Sequence, residues 1–347
     1  MVRRWCSVVV GALLAVGALA GPAGAAPRPT YVALGDSYSS GVGLAPFDAG
    51  SVSCARSPRA YPSIVARSLA RDQFVFVACS GATIDQIIAQ LGTARAALHR
   101  AALVTLTAGG NDLSFTNLLV SCLGGVTSLT SPVVHYESYA SGSAACAVAI
   151  AQAARELGAR VSGRGTVVAR SADLTARGVV SSPIEAGLTR LLHAIASLTA
   201  HSSASTTRVL VVQYPLLLGE VSAPVCRVGS APLTLSSASA IYPVFPGAAA
   251  RQLRAVNQLL RRETATVVAR VRVRDPRVAL VTAPAFAPLD CRSGTSSDLN
   301  GLSVASLSSG GSFHPTAAGQ AVLARAVLAR AVLARAVLAR AVRVPRR

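Results

Sequence analysis

Five short runs of apolar residues punctuate the chain, at Tyr31–Leu34, Phe74–Ala78, Leu103–Thr107, Val209–Gln213 and Val278–Thr282. They are too short for helices and do not alternate with polar residues, so they read as strands buried on both faces. Longer segments of helical character separate them: Ala60–Arg71, Ile84–Arg100, Ala144–Arg160, Pro183–His201 and Ala248–Arg270. Strands alternating with helices predict an α/β fold on a parallel sheet. Two regions interrupt the alternation. Ser114–Gly165 is long and rich in Ser and Gly, and reads as an excursion from the sheet edge that covers the site. Cys226–Pro246 reads as a loop region, because Pro224, Pro243 and Pro246 break its periodicity.

Both ends depart from this pattern. Residues 321–340 are AVLAR four times over. A five-residue period advances about 140° per repeat around a helix, so successive arginines point in different directions and no apolar face persists. A last domain helix is therefore expected from Pro315 to about Arg330, with Pro315 near its first turn. Residues 331–347 should project as a basic helical extension or fray. At the other end, Arg3 and Arg4 precede the apolar stretch Trp5–Ala20, and Ala23-Gly24-Ala25 follows. This order reads as a signal peptide (1–25) cut near Ala25, leaving 26–330 as a single domain of an exported protein. The apolar stretch is short for a membrane span.

Composition sharpens the picture. The chain is 52% hydrophobic and 14% charged, which is globular and not disordered. Net charge is +19, and every basic residue apart from His is Arg. The arginines are spread along the chain, as a GC-rich coding bias would spread them. The functional alternative is peripheral contact with an anionic membrane or cell-wall surface. No basic patch is interleaved with aromatics, so nucleic acid is not expected as a partner. Six cysteines lie beyond Cys6: Cys54, Cys79, Cys122, Cys146, Cys226 and Cys291. An even number in an exported chain predicts three disulfides, and spacing alone leaves their pairing open. No CxxC pair or Cys/His cluster suggests a metal, and no cofactor is implied.

Four segments, each after an apolar run, carry candidate chemistry. Gly35-Asp36-Ser37-Tyr38-Ser39-Ser40-Gly41 puts a hydroxyl at a tight turn on the carboxyl edge of the sheet, where ligands bind. Capping of the following helix would use the same residue types. In Ala78-Cys79-Ser80-Gly81-Ala82-Thr83, Gly81 offers an unshielded N–H suited to a developing oxyanion; a plain helix start capped by Thr83 is the alternative. Gly109-Gly110-Asn111-Asp112 adds the amide of Asn111, within a sequence that also suits a turn. In Phe313-His314-Pro315-Thr316, His314 stands in a loop just before the last helix. His99, His135, His193 and His201 read as helix-surface or loop positions. Ser37, Gly81, Asn111 and His314 at one sheet edge would supply a nucleophile, two oxyanion donors and a base, as acyl transfer requires.

These blocks resemble the SGNH hydrolase family, the GDSL esterases and lipases, from Tyr31 to about Arg330. The resemblance implies a flavodoxin-like three-layer sandwich with five parallel strands in the order 2-1-3-4-5. It implies hydrolysis of carboxylic esters by Ser37 and His314, with an oxyanion hole of Ser37, Gly81 and Asn111. The cysteines are similar to those of the secreted bacterial branch, which implies the pairs Cys54–Cys79, Cys122–Cys146 and Cys226–Cys291. One position departs from the pattern. Many members carry an acid three residues before the His, where this chain has Gly311. Some secreted members use a Ser–His dyad in which a backbone carbonyl at that position takes the imidazole N–H, so the resemblance implies the Gly311 carbonyl for His314, with Asp298 and Asp290 as alternatives. A lipid or short-chain ester is the expected substrate, with Leu118, Leu119 and Leu123 as candidate walls of an acyl groove. Acetylated polysaccharide is the rival substrate, and an inactive cationic surface-binding module the rival function. A monomer is expected. Activity should rise as His314 deprotonates near its ordinary pKa of about 6.5.

Overall fold

A computed structural model describes residues 30–69, 73–126, 142–162, 166–169, 181–200, 207–234 and 240–341. The expected signal peptide, His135, His201 and residues 342–347 lie outside these.

The apolar runs form one parallel sheet of five strands: β1 (Thr30–Ala33), β2 (Phe74–Phe76), β3 (Ala101–Leu106), β4 (Arg208–Val212) and β5 (Val278–Val281). Their order is β5-β4-β3-β1-β2, the expected 2-1-3-4-5. Register is set by small and branched residues facing one another: Val32 lies between Val75 and Val104, and Leu210 between Thr105 and Ala279. Burial on both faces accounts for the lack of alternation in the sequence. Tyr31 is fully buried in β1, and its hydroxyl meets Thr105 Oγ1 at 2.7 Å.

Helices cover both sheet faces. Tyr61–Ser68 packs against the C-terminal helix Ala317–Ala341. Ile84–Thr93, Pro183–Thr199 and Gly247–Arg274 pack together as a second layer. Thr83 and Gln86 form a reciprocal cap on the first of these, and Ser182 caps the second. The C-terminal helix runs unbroken through the whole of the repeat. Val322, Leu323, Ala324 and Val327 are buried, after which packing thins to half-buried Leu328.

Three expectations need correction. The segment Ile84–Arg100 is two helices, because Ala94 (φ −91°, ψ 3°) ends one after Gly92-Thr93 and Arg95–Leu98 starts afresh. The expected helix Ala144–Arg160 spans Gly142–Glu156 and stops where Gly158 turns left-handed (φ +60°). Beyond it, Ala159–Val161 pairs antiparallel with Val167–Ala169. The supposed loop Cys226–Pro246 contains strands. Ala240–Pro246 pairs antiparallel with Gly124–Val126 and Val225–Arg227. Pro243 sits in that ladder as an acceptor only, taking the Val228 N–H on its carbonyl at 3.1 Å.

Cys54–Cys79, Cys122–Cys146 and Cys226–Cys291 are bonded, the pairs the resemblance implied.

Candidate active site

Ser37 opens a single helical turn, Ser37–Ser40, directly after β1. Gly35 enters it at φ +121°, where a Cβ would lie 2.6 Å from Ser39 Oγ and 2.8 Å from the Thr107 carbonyl oxygen. Only glycine passes there. Gln90 clamps the Gly35 peptide from below: its Oε1 accepts the Gly35 N–H at 3.0 Å, and its Nε2 donates to the Gly35 carbonyl at 2.9 Å. Asp36 caps the turn by accepting the Tyr38 N–H at 3.0 Å. The first N–H groups of such a turn have no partner within it, which leaves that of Ser37 for a ligand.

Asp36 is buried, and both of its carboxylate oxygens are hydrogen-bonded. Oδ1 also accepts from Thr107 Oγ1 at 2.6 Å, and Oδ2 accepts from the Tyr214 hydroxyl. Burial raises its pKa while these hydrogen bonds pull it down. Asp36 is therefore engaged by the turn, Thr107 and Tyr214, and His314 turns its Nδ1 to a different group.

His314 Nε2 lies 2.8 Å from Ser37 Oγ, and Nδ1 lies 3.0 Å from the Ser312 carbonyl oxygen. A carbonyl only accepts, so Nδ1 carries the proton and the Nε2 lone pair faces the serine hydroxyl. The loop is held from several sides. Phe313 is left-handed (φ +59°), stacks on Phe245 at 5.8 Å, and has its carbonyl bound by the Tyr38 hydroxyl at 2.7 Å. Asn300 Nδ2 donates to the His314 carbonyl at 3.1 Å. The half-buried imidazole loses water to this packing, which pushes its pKa down from 6.5 to about 4, against a smaller upward pull from Ser312.

The carbonyl that faces Nδ1 is thus that of Ser312, not the expected one of Gly311. Gly311 O accepts the backbone N–H of His314 at 3.0 Å, and the left-handed Phe313 brings the Ser312 carbonyl to the ring instead. Asp298 and Asp290 are also elsewhere. Asp298 accepts the Ala287 N–H at 2.8 Å, and Asp290 accepts the Arg292 N–H at 3.0 Å. His99 and His193 are exposed and remote from this cluster.

Gly81 and Asn111 line the same cavity as Ser37 and His314. Gly81 is left-handed (φ +78°), and a Cβ there would meet nothing within 4 Å. Asn111 spends one amide hydrogen on the Ala82 carbonyl at 3.0 Å and keeps the other. Asp112 accepts the first N–H of helix Ile84–Thr93 at 3.0 Å, which ties the third block to the second.

The cavity has a volume of about 400 Å³. Phe115, Leu119, Val120, Leu123, Leu217 and Leu302 form its apolar walls. Leu119 and Leu123 are where an acyl groove was expected, whereas Leu118 faces the core and is fully buried. Among the described residues no group of His, Cys, Asp or Glu is arranged to hold a metal ion. Sequence reasoning missed Tyr214, Thr107, Gln90 and Asn300. Tyr214 and Thr107 follow β4 and β3 at the same edge that singled out the four blocks, and the same criterion applies to them. Gln90 leaves only the trace of a buried amide among Ile84, Ile87 and Leu91.

Residues 33–322 match the GDSL-like lipase/acylhydrolase family. The chain is similar to a lipase of Streptomyces rimosus, with 45% identity over 93 residues, 26% of this chain and 34% of that one. Lipase 1 of Streptomyces coelicolor is 39% identical over 134 residues, 38% of this chain and 49% of that one. The aligned segments thus span half or less of these relatives. Among solved structures, the extracellular lipase of Streptomyces rimosus superposes with a TM-score of 0.56 and 28% identity over 87% of this chain and 99% of that one. Phospholipase A1 of Streptomyces albidoflavus gives a TM-score of 0.57 at 24% identity over the same shares, a likeness of fold. The family resemblance and the parallel-sheet architecture read from the sequence are both borne out.

Proposed function

The chain belongs to the GDSL-like lipase/acylhydrolase family, and from that premise we propose that it is an exported serine hydrolase of acyl esters. The observation that carries this reading is the pair of contacts on His314, 2.8 Å to Ser37 Oγ and 3.0 Å to the Ser312 carbonyl. In the proposed mechanism Nε2 takes the hydroxyl proton as Ser37 Oγ attacks the ester carbonyl carbon. The tetrahedral oxyanion is held by the N–H groups of Ser37 and Gly81 and by the Asn111 amide. His314 then protonates the leaving alcohol, and water hydrolyses the acyl-enzyme by the same route. The work is done by a dyad, with a backbone carbonyl fixing the tautomer.

The apolar cavity supports an acyl chain longer than acetyl, and so favours lipid esters over acetylated polysaccharide. Three disulfides and an extracellular structural relative support export, with residues 1–25 removed and 331–347 as a basic extension of the domain.

The test is hydrolysis of p-nitrophenyl esters from acetyl to palmitoyl by the mature protein beside Ser37→Ala. Loss of activity in the variant, with a preference for longer chains in the parent, is expected. Equal rates in the two proteins would overturn the reading and return the inactive surface-binding module to consideration.

A further inference from the structure

Tyr214 follows β4, in a block to which neither the sequence motifs nor the proposed mechanism gives a role. Its side chain is buried at the floor of the cavity. Its hydroxyl touches two things: the Gly110 N–H at 3.0 Å, and Asp36 Oδ2. Burial, together with the neighbouring Asp36 charge, keeps the phenol protonated at any working pH. The direction of both hydrogen bonds is then forced. A backbone N–H can only donate, so the hydroxyl oxygen accepts from Gly110. Its one proton is left for Asp36. The chain runs from Gly110 N–H to the Tyr214 oxygen, and from Tyr214 O–H to the Asp36 carboxylate.

The two ends of this relay are the two halves of the candidate site. Asp36 caps the turn that opens with Ser37. Gly110 is bonded to Asn111, whose amide is the oxyanion donor on the third block. The turn and that donor come from the paired strands β1 and β3; Thr107, just after β3, already donates to Asp36 Oδ1 at 2.6 Å, but no direct hydrogen bond joins Asp36 to Gly110, the residue next to Asn111. Tyr214, from a third strand, extends that link from Thr107 to the residue beside Asn111. It also packs edge-on against Tyr38, with ring centres 5.1 Å apart, and Tyr38 in turn lies 5.3 Å from the His314 ring.

We propose that Tyr214 is a positioning residue that fixes the nucleophile turn and the oxyanion donor Asn111 relative to each other through one hydroxyl. The proposal rests on the ester-hydrolase reading. It assigns Tyr214 a geometric task that matters in the transition state, when attack at Ser37 and charge on the oxyanion must be met together. Ground-state binding of an acyl chain in the apolar part of the cavity does not need that registration. Removing the hydroxyl should therefore lower kcat and leave KM nearly unchanged.

Gly110 gives a second handle on the same contact. It has ordinary helical backbone angles (φ −66°, ψ −43°), so alanine is not strained there. A Cβ at Gly110 would lie 3.1 Å from the Tyr214 hydroxyl oxygen and 3.3 Å from the ring carbon that bears it. Gly110→Ala therefore crowds the hydroxyl that Tyr214→Phe removes. If the contact itself is what matters, the two substitutions are less than additive, because in the phenylalanine background the nearest crowded atom is gone and only the ring carbon at 3.3 Å is left.

The experiment measures kcat and KM on a p-nitrophenyl ester, and the Ki of an alkyl boronic acid that mimics the tetrahedral adduct. The proteins are the parent, Tyr214→Phe, Gly110→Ala, the double variant and Ser37→Ala, with circular dichroism to verify the fold. Each single variant is expected to lose kcat by about ten- to a hundredfold, the scale of a small misplacement of reacting groups. Boronate affinity should fall in parallel, KM should stay within about twofold, and the double variant should be no worse than the poorer single one. The proposal is overturned if folded Tyr214→Phe keeps parental kcat and boronate affinity while Ser37→Ala is inactive. It is equally overturned if the two substitutions multiply independently. Undiminished activity in Ser37→Ala would remove the ester-hydrolase reading and this one with it.

Discussion

The Nδ1 atom of His314 is 3.0 Å from the carbonyl oxygen of Ser312, two residues earlier in the same loop. A carbonyl fixes the ring and its tautomer as a carboxylate would, but it brings no full negative charge to stabilise the imidazolium. Burial then dominates, and the pKa falls to about 4. The protonated ring cannot take a proton from Ser37, so the active form exists above that value. Activity should be level from pH 8 down to about 6 and fall by about tenfold per unit only below about 4. The midpoint expected from this packing thus lies below the 6.5 expected of an unperturbed histidine. A pH profile of kcat/KM on protein verified to be folded at each pH checks it, and a midpoint at 6.5 would show that the half-buried ring keeps its water.

Restoring an acid where many relatives carry one should not help. Gly311 runs so close to Gly43 that a Cβ on it would sit 2.9 Å from the Gly43 Cα. Gly311→Asp must push these two loops apart, at a cost of about 1–3 kcal/mol. Its Tm should drop by several degrees, and kcat should not rise. Thermal denaturation beside the ester assay tests both halves. A variant as stable as the parent and faster would mean that the loop has room for a triad.

The same two glycines show what the sequence could and could not convey. Gly311 is visible as a missing acid, and it was the family resemblance that pointed from it to a backbone carbonyl. Which carbonyl depends on the left-handed turn at Phe313, and nothing in a phenylalanine announces a positive φ. The strands were legible because burial on both faces writes an uninterrupted apolar run. Ser37, Gly81, Asn111 and His314 were legible because each follows such a run or precedes the last helix. The antiparallel ladder at Ala240–Pro246 was not, because Pro243 reads as a breaker until it is seen where only its carbonyl is needed. Tyr214 and Gln90 act through contacts far apart in sequence, and no local pattern marks such pairs.

Gln90 supports the turn that carries Ser37 through the N–H and carbonyl of Gly35. Its amide satisfies the Gly35 N–H, and the Gly35 carbonyl has a second donor in Cys79 N–H at 3.0 Å. Gln90→Leu keeps the volume but leaves the buried Gly35 N–H without an acceptor, which costs about 1–3 kcal/mol. Because Gly35 leads directly into Asp36 and Ser37, kcat should fall as well, by about tenfold. Urea denaturation and steady-state kinetics measure the two effects. Unchanged stability would show that another acceptor reaches the Gly35 amide.

Leu123 offers the clearest control over substrate length. It ends helix Phe115–Cys122 and lines the cavity, and the next residue back, Cys122, is bonded to Cys146. That bond ties the wall to helix Gly142–Glu156, so the wall cannot retreat from a larger side chain. Leu123→Trp should therefore fill space that a long acyl chain needs and leave the reacting groups untouched. The ratio of palmitoyl to butyryl ester hydrolysis should fall by about tenfold or more, the scale of misfit in an apolar pocket. The rate on acetyl ester should stay within about twofold of the parent. If both long and short esters slow equally, the tryptophan has disturbed the catalytic geometry and this wall does not measure the chain. If neither changes, the acyl group lies against another wall, and Leu217 and Leu302 become the positions to alter next.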